Sequence, residues 1–229
     1  MSIKCPEFHP IMGEALNDSN TILMDMSEHN LVLKQIDLMN TDAFEAYVTT
    51  LLRKNKKRFG IGGYLEKRNI YQRSRVFEDA TDSKYRNIHL GVDIWSFSDS
   101  PVYCPEEGVV HSFQDNKGFG NYGPTVILEH FRQDKITYSL YGHLSLKDLK
   151  KLKIGQRIKK GERIGHLGTP FENGNWPPHL HFQMIRNLEN KSGDYPGVCS
   201  ASEKERYVVN CPDPASRLGI PSNIIYRKI

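Results

Sequence analysis

His179-Leu180-His181, ninety residues downstream of His89-Leu90-Gly91-Val92-Asp93, constrains this chain more than any other feature. In a strand, residues two apart share a face and lie about 6.8 Å apart along the axis. His179 and His181 therefore point the same way, while Leu180 and Phe182, with Met184 nearby, anchor the opposite face in a core. His89 and Asp93 fit a straight strand poorly, because four residues span about 13 Å, too far for two ligands of one ion. A helix would bring i and i+4 together, but Gly91, Val92 and Ile94 disfavour one. The spacing predicts a bent segment pivoting at Gly91.

Two neutral imidazoles and a carboxylate suit a divalent zinc ion and leave a fourth position for water, whereas a purely structural zinc is usually closed by four protein ligands. Such a site lowers the pKa of bound water from about 15.7 to about 7 and polarises a carbonyl, the two requirements for attacking an amide at neutral pH. The residues thus point to one zinc ion per chain and to hydrolysis of peptide bonds.

The rest of the chain bounds this reading. Its 229 residues, 38% of them hydrophobic, are enough for one substantial core with a small appendage. A formal net charge of +4 does not point to nucleic acid. The basic run Arg53 to Arg58 reads as the solvated end of a helix. Gly118 to Gly123 satisfies G-x-G-x-x-G, but Pro124 and a β-rich run follow where a dinucleotide site needs a helix, so it reads as a hairpin loop. Cys5, Cys104, Cys199 and Cys211 form no Cys-x-x-Cys pair and read as free thiols. No apolar run marks a signal peptide or a membrane span, so the expectation is a cytoplasmic protein, with export by another route left open.

Thr41-Asp42 followed by apolar residues at helical spacing predicts a helix ending near Arg58, and Gly60-Ile61-Gly62-Gly63 then breaks it. Downstream, short apolar runs separated by Gly, Pro, Asn and Asp predict strands at 91–96, 102–104, 108–113, 125–131, 136–144, 163–167 and 179–185. The expected class is mainly β (α+β), an antiparallel barrel or sandwich. The expected division is an N-terminal helical segment over 1–60, the main domain over 61–211 and an irregular tail over 212–229.

His89-x-x-x-Asp93, Tyr141-Gly142-His143 and His179-x-His181, in this order within a glycine-punctuated β pattern, resemble the lysostaphin-type, or LytM-like, zinc endopeptidases of bacterial cell walls. The resemblance covers roughly residues 85 to 186 and includes the Ile154-Gly155-Gln156 and Lys160-Gly161-Glu162 turns. It implies that His89, Asp93 and His181 bind zinc, that His143 and His179 flank the attacking water, and that the substrate is a peptide or peptidoglycan fragment. Glu172 to Pro178 departs from the family pattern, and Trp176 there either selects substrate or packs over the site. With Pro196-Gly197-Val198, that stretch resembles more narrowly the metallopeptidase-like module sometimes fused to aminotransferase and kinase domains, which need not act on cell walls.

A competing class is a non-catalytic zinc-containing binding or regulatory module of the same fold; intact site residues count against it. His9, His29, His111 and His166 read as surface or hydrogen-bonded residues, and His130 as structural.

Overall fold

Alternation along the strands builds a sheet with a core on each face. The computed structural model describes residues 7–78, 85–132 and 134–220. Its elements begin with β1 (Thr21–Leu23), α1 (Thr41–Lys54), β2 (Phe59–Gly62), β3 (Ile88–His89) and β4 (Val92–Trp95). There follow β5 (Pro101–Tyr103), β6 (Gly108–Asn116), β7 (Gly123–Arg132), β8 (Lys135–Gly142) and α2 (Leu146–Leu149). The chain ends with β9 (Arg157–Ile158), β10 (Arg163–His166), β11 (His179–Ile185), β12 (Val198–Cys199), α3 (Lys204–Asn210) and α4 (Ala215–Leu218).

Eight strands form one sheet in the order β1-β2-β4-β11-β8-β7-β6-β9. All neighbours are antiparallel except β1 and β2. The mainly β class is borne out, but the sheet is open and does not close into a barrel. β10 pairs with β5, and β12 with β3, in two small sheets.

On one face, Leu180, Phe182 and Met184 of β11 join Val92 and Ile94 of β4 in the main core. On the other face, Trp95 packs with Phe44, Val48 and Leu52 of α1. Asn40 caps that helix by accepting from the Ala43 amide, and the helix stops at Lys54, short of Arg58. Gly118 to Gly123 connects β6 to β7, as a hairpin loop should.

Gly60-Ile61-Gly62 departs from expectation, because it lies within β2 and pairs with β4, Gly62 opposite Asp93. A Cβ at Gly62 would lie 2.5 Å from the Trp95 ring, so this glycine marks close packing in a strand, not a break. The stretch from Pro212 carries the short α4, and residues 221–229 lie outside the described residues. Cys104, Cys199 and Cys211 are free and buried, while Cys5 lies outside the described residues. Among the described residues, no helix is long and apolar enough to cross a membrane.

Candidate metal centre

β4 and β11 run side by side at the middle of the sheet, with His181 opposite Asp93 and His179 opposite Trp95. His89 arrives from β3, which pairs with β12 and not with β4, so the chain turns at Leu90-Gly91 between the two sheets. This is the bend that the spacing demanded. A Cβ at Gly91 would lie 2.6 Å from the Phe182 carbonyl oxygen and 2.8 Å from the His181 ring, so glycine alone allows the approach.

His89, Asp93 and His181 form a group able to hold a metal ion. His89 Nε2 lies 2.9 Å from His181 Nδ1, and each of these nitrogens lies 3.1 Å from Asp93 Oδ1. Tetrahedral ligands at zinc distances stand about 3.3 Å apart, so the triangle has the right dimensions. The three residues are no more than 3% exposed, so charge placed there needs a partner.

Hydrogen bonds set the free nitrogen of each ring. His89 Nδ1 donates to the Gly63 carbonyl at 3.0 Å and leaves Nε2 toward the group. His181 is held the other way round, with Nε2 donating to Gln183 Oε1 at 2.9 Å and Nδ1 left for the group. Such outer partners fix ring orientation and ligand basicity. Burial and the Arg68 charge push the His89 pKa down to about 4. Burial opposes ionisation of Asp93, but His89 and Arg68 outweigh it and hold the carboxyl well below the usual range. A neutral imidazole and an ionised carboxylate are the forms a cation requires.

His143 and His179 stand beside this group, their ring centroids 4.1 Å apart. His143 Nδ1 donates to the Asn173 carbonyl at 2.8 Å and His179 Nδ1 to the Pro177 carbonyl at 2.7 Å, so each keeps Nε2 as an acceptor. His179 Nε2 lies 3.9 Å from Asp93 Oδ1, and the His179 ring stacks on Trp95. Burial, together with the neighbouring His179, keeps the His143 pKa well below the ordinary value, and burial lowers that of His179. His143 has φ of 62°, a left-handed conformation uncommon for a residue with a side chain. Its amide donates to the Tyr122 carbonyl at 3.0 Å and its carbonyl accepts from Gly168 at 2.9 Å, which hold the backbone there.

Together, His143, His179 and His181 line a cavity of about 170 Å³. Trp176, 5% exposed, packs over it, with its ring edge-on to His179 and His143 and in contact with Phe44, Tyr71 and Phe77. The structure also shows neighbours that the sequence reading did not single out: Arg68, Glu66, Tyr122, Asn173 and Gln183. Gln183 was legible, since it continues the i, i+2 row of His179 and His181. Arg68 sits in no periodic pattern and gave no signal. His130 is structural, bonded to the Glu107 carbonyl and Ser139.

Comparison with known proteins finds relatives over the same part of the chain. Residues 87–192 match the model of Peptidase family M23. An L-Ala–D-Glu endopeptidase of Bacillus subtilis is 32% identical over 125 residues, which cover 52% of this chain and 36% of that protein. The peptidoglycan DD-endopeptidase ShyC of Vibrio cholerae is 28% identical over 144 residues, covering 60% of this chain and 30% of that one. The chain therefore spans about a third of the length of these curated relatives. Among solved structures, the catalytic domain of lysostaphin from Staphylococcus simulans is 24% identical, with a TM-score of 0.40 over 58% of this chain and 80% of that domain. Residues 87–192 thus form a domain of the peptidase family M23 type.

Proposed function

We propose that this protein is a zinc-dependent endopeptidase, with one ion held per chain by His89, Asp93 and His181, and with peptidoglycan-type peptides as substrate. The catalytic unit proposed is residues 61–211, with 1–60 as an N-terminal segment and 212–229 as a C-terminal tail. The observation that carries the reading is the 2.9 to 3.1 Å triangle of ligand atoms beside two imidazoles whose acceptor nitrogens are free.

Zinc bound there would supply an acidic water and polarise the scissile carbonyl. Everything else falls to the chain's own residues. His143 Nε2 takes the proton of the attacking water and later gives it to the departing amine, which requires an imidazole that is neutral at rest. His179 shares that role, its ring held by Trp95 and the Pro177 carbonyl. Tyr122 lines the same cavity, and burial and Asp194 raise its pKa well above the usual value, so its hydroxyl stays protonated as a donor to a developing oxyanion. A module that only bound metal would need neither free imidazole.

The relatives' names include peptidoglycan DD-endopeptidase and L-Ala–D-Glu endopeptidase, which motivates the substrate class. The test is incubation of purified protein with peptidoglycan fragments and a mixed peptide library, with and without chelator, read by mass spectrometry, beside metal analysis. Cleavage abolished by chelator, with about one zinc per chain, supports the reading. One zinc with no cleavage of any substrate would favour the binding module.

A further inference from the structure

Asp93 has two carboxylate oxygens, and they meet different neighbours. Oδ1 lies 3.1 Å from both His89 Nε2 and His181 Nδ1. Oδ2 accepts from Arg68 Nη1 at 2.5 Å. Arg68 is 1% exposed and also donates from Nε to Glu66 Oε2 at 2.6 Å and from Nη1 to the Tyr71 hydroxyl at 3.2 Å. Its guanidinium lies 5.8 Å from the centre of the Trp95 ring, and Trp95 stacks on His179. Arg68 precedes the residues that match the family model.

The backbone around it is tied to the same site. Leu65 donates to the His89 carbonyl at 2.8 Å, His89 to the Glu66 carbonyl at 3.0 Å and Arg68 to the Asn87 carbonyl at 2.9 Å. Residues 63–68 therefore hold His89 by its main chain and, through the Gly63 carbonyl, by its ring.

We propose that Arg68 is a positioning residue of the metal centre: by occupying Asp93 Oδ2 it makes Asp93 a one-oxygen ligand and fixes the direction of Oδ1. A carboxylate released from this contact can turn and offer both oxygens, which changes coordination number and leaves no fixed fourth position. The planar fork of arginine suits the task, since one side chain bonds Asp93 and Glu66 through separate nitrogens, and lysine offers a single point charge. Bonding to a cation also draws charge from the carboxylate, so less of it reaches the metal, which stays more electrophilic. This inference rests on the metal ligands proposed above and not on the substrate.

Two variants of the full chain test it. Arg68→Met combined with Glu66→Gln removes the guanidinium without leaving Glu66 buried and unpaired. Arg68→Lys keeps the charge and loses the fork. Zinc affinity is read by competition with a chromophoric chelator, and ligand geometry by the visible spectrum of the Co²⁺-loaded protein, with unfolding of the metal-free protein as the check on folding. The double variant is expected to bind zinc about 10 to 100 times more weakly and to show an altered Co²⁺ band. The lysine variant should fall between it and the wild type. Affinity and spectrum matching the wild type in either folded variant would overturn the assignment, whatever the loss of stability. A wild-type protein that binds no zinc would remove the metal reading itself and this inference with it, whereas zinc binding without peptide cleavage would leave the inference standing.

Discussion

Residues 87–192 bring to the site the groups proposed to bind zinc or transfer a proton, whereas residues 44–77 bring a wall and a counter-charge. The first region supplies Asp93 and His181 on adjacent strands, with His179 at the start of β11 and His143 just past the end of β8. The second supplies Phe44, Tyr71 and Phe77 around Trp176, and Arg68 against Asp93. The two differ in how local their information is. Side chains alternate along a strand, so which of them share a face can be read from spacing, while the wall and the counter-charge exist only where distant segments meet.

Substitutions in the first region should have the largest effects. His181→Ala removes a ligand, so metal content should fall far below one ion per chain and peptide hydrolysis by roughly 10⁴-fold, the size of several kcal/mol of lost carbonyl and water activation. Undiminished metal content would exclude His181 as a ligand. His143→Ala should slow turnover by about 10² to 10⁴-fold while zinc is retained, since the role proposed for that ring is to move a proton and not to hold the metal. Loss of zinc in this variant would instead place His143 among the ligands.

The second region should answer with stability. Phe44, 1% exposed, packs edge-on against Trp176, so Phe44→Ala is expected to cost about 3 to 5 kcal/mol in urea unfolding. A cost near zero would mean that α1 does not support the wall. Gly91→Ala, at the bend between β3 and β4 in the first region, should cost about 1 to 3 kcal/mol and lower zinc affinity, because the added methyl meets the Phe182 carbonyl and the His181 ring.

The last expected effect is a pH dependence in metal-free protein. His89, His143 and His179 have folded pKa values below the unfolded value, so the unfolded chain binds more protons as pH falls. The stability that neutral burial of His89 contributes is complete above about pH 6.5 and is lost as pH drops toward about 4, and His143 and His179 act in the same direction. Unfolding midpoints measured in chelator across this window should decline steadily as pH falls; a flat profile would show that folding leaves the titration of these rings unchanged.

Much of the site was legible because strand alternation is a local rule. His179 and His181 share a face, Leu180 and Phe182 fill the core behind them, and β11 has the bounds expected of it. The bend at Gly91 was also legible, since no straight strand brings His89 to Asp93. The strand β2 was not, because Gly60 and Gly62 read as breakers until Met24, Trp95 and Arg68 are seen to occupy the space their side chains would need.

By itself, the sequence determined the ligand types, their spacing and the face each side chain takes, all consequences of backbone period and donor chemistry over a few residues. Only the tertiary structure decided which nitrogen of each ring stays free, how His143 reaches the site and that Arg68 holds the second oxygen of Asp93. Those depend on a carbonyl or a charge from a remote segment, and a buried charge takes whichever partner the packed chain places within hydrogen-bond reach.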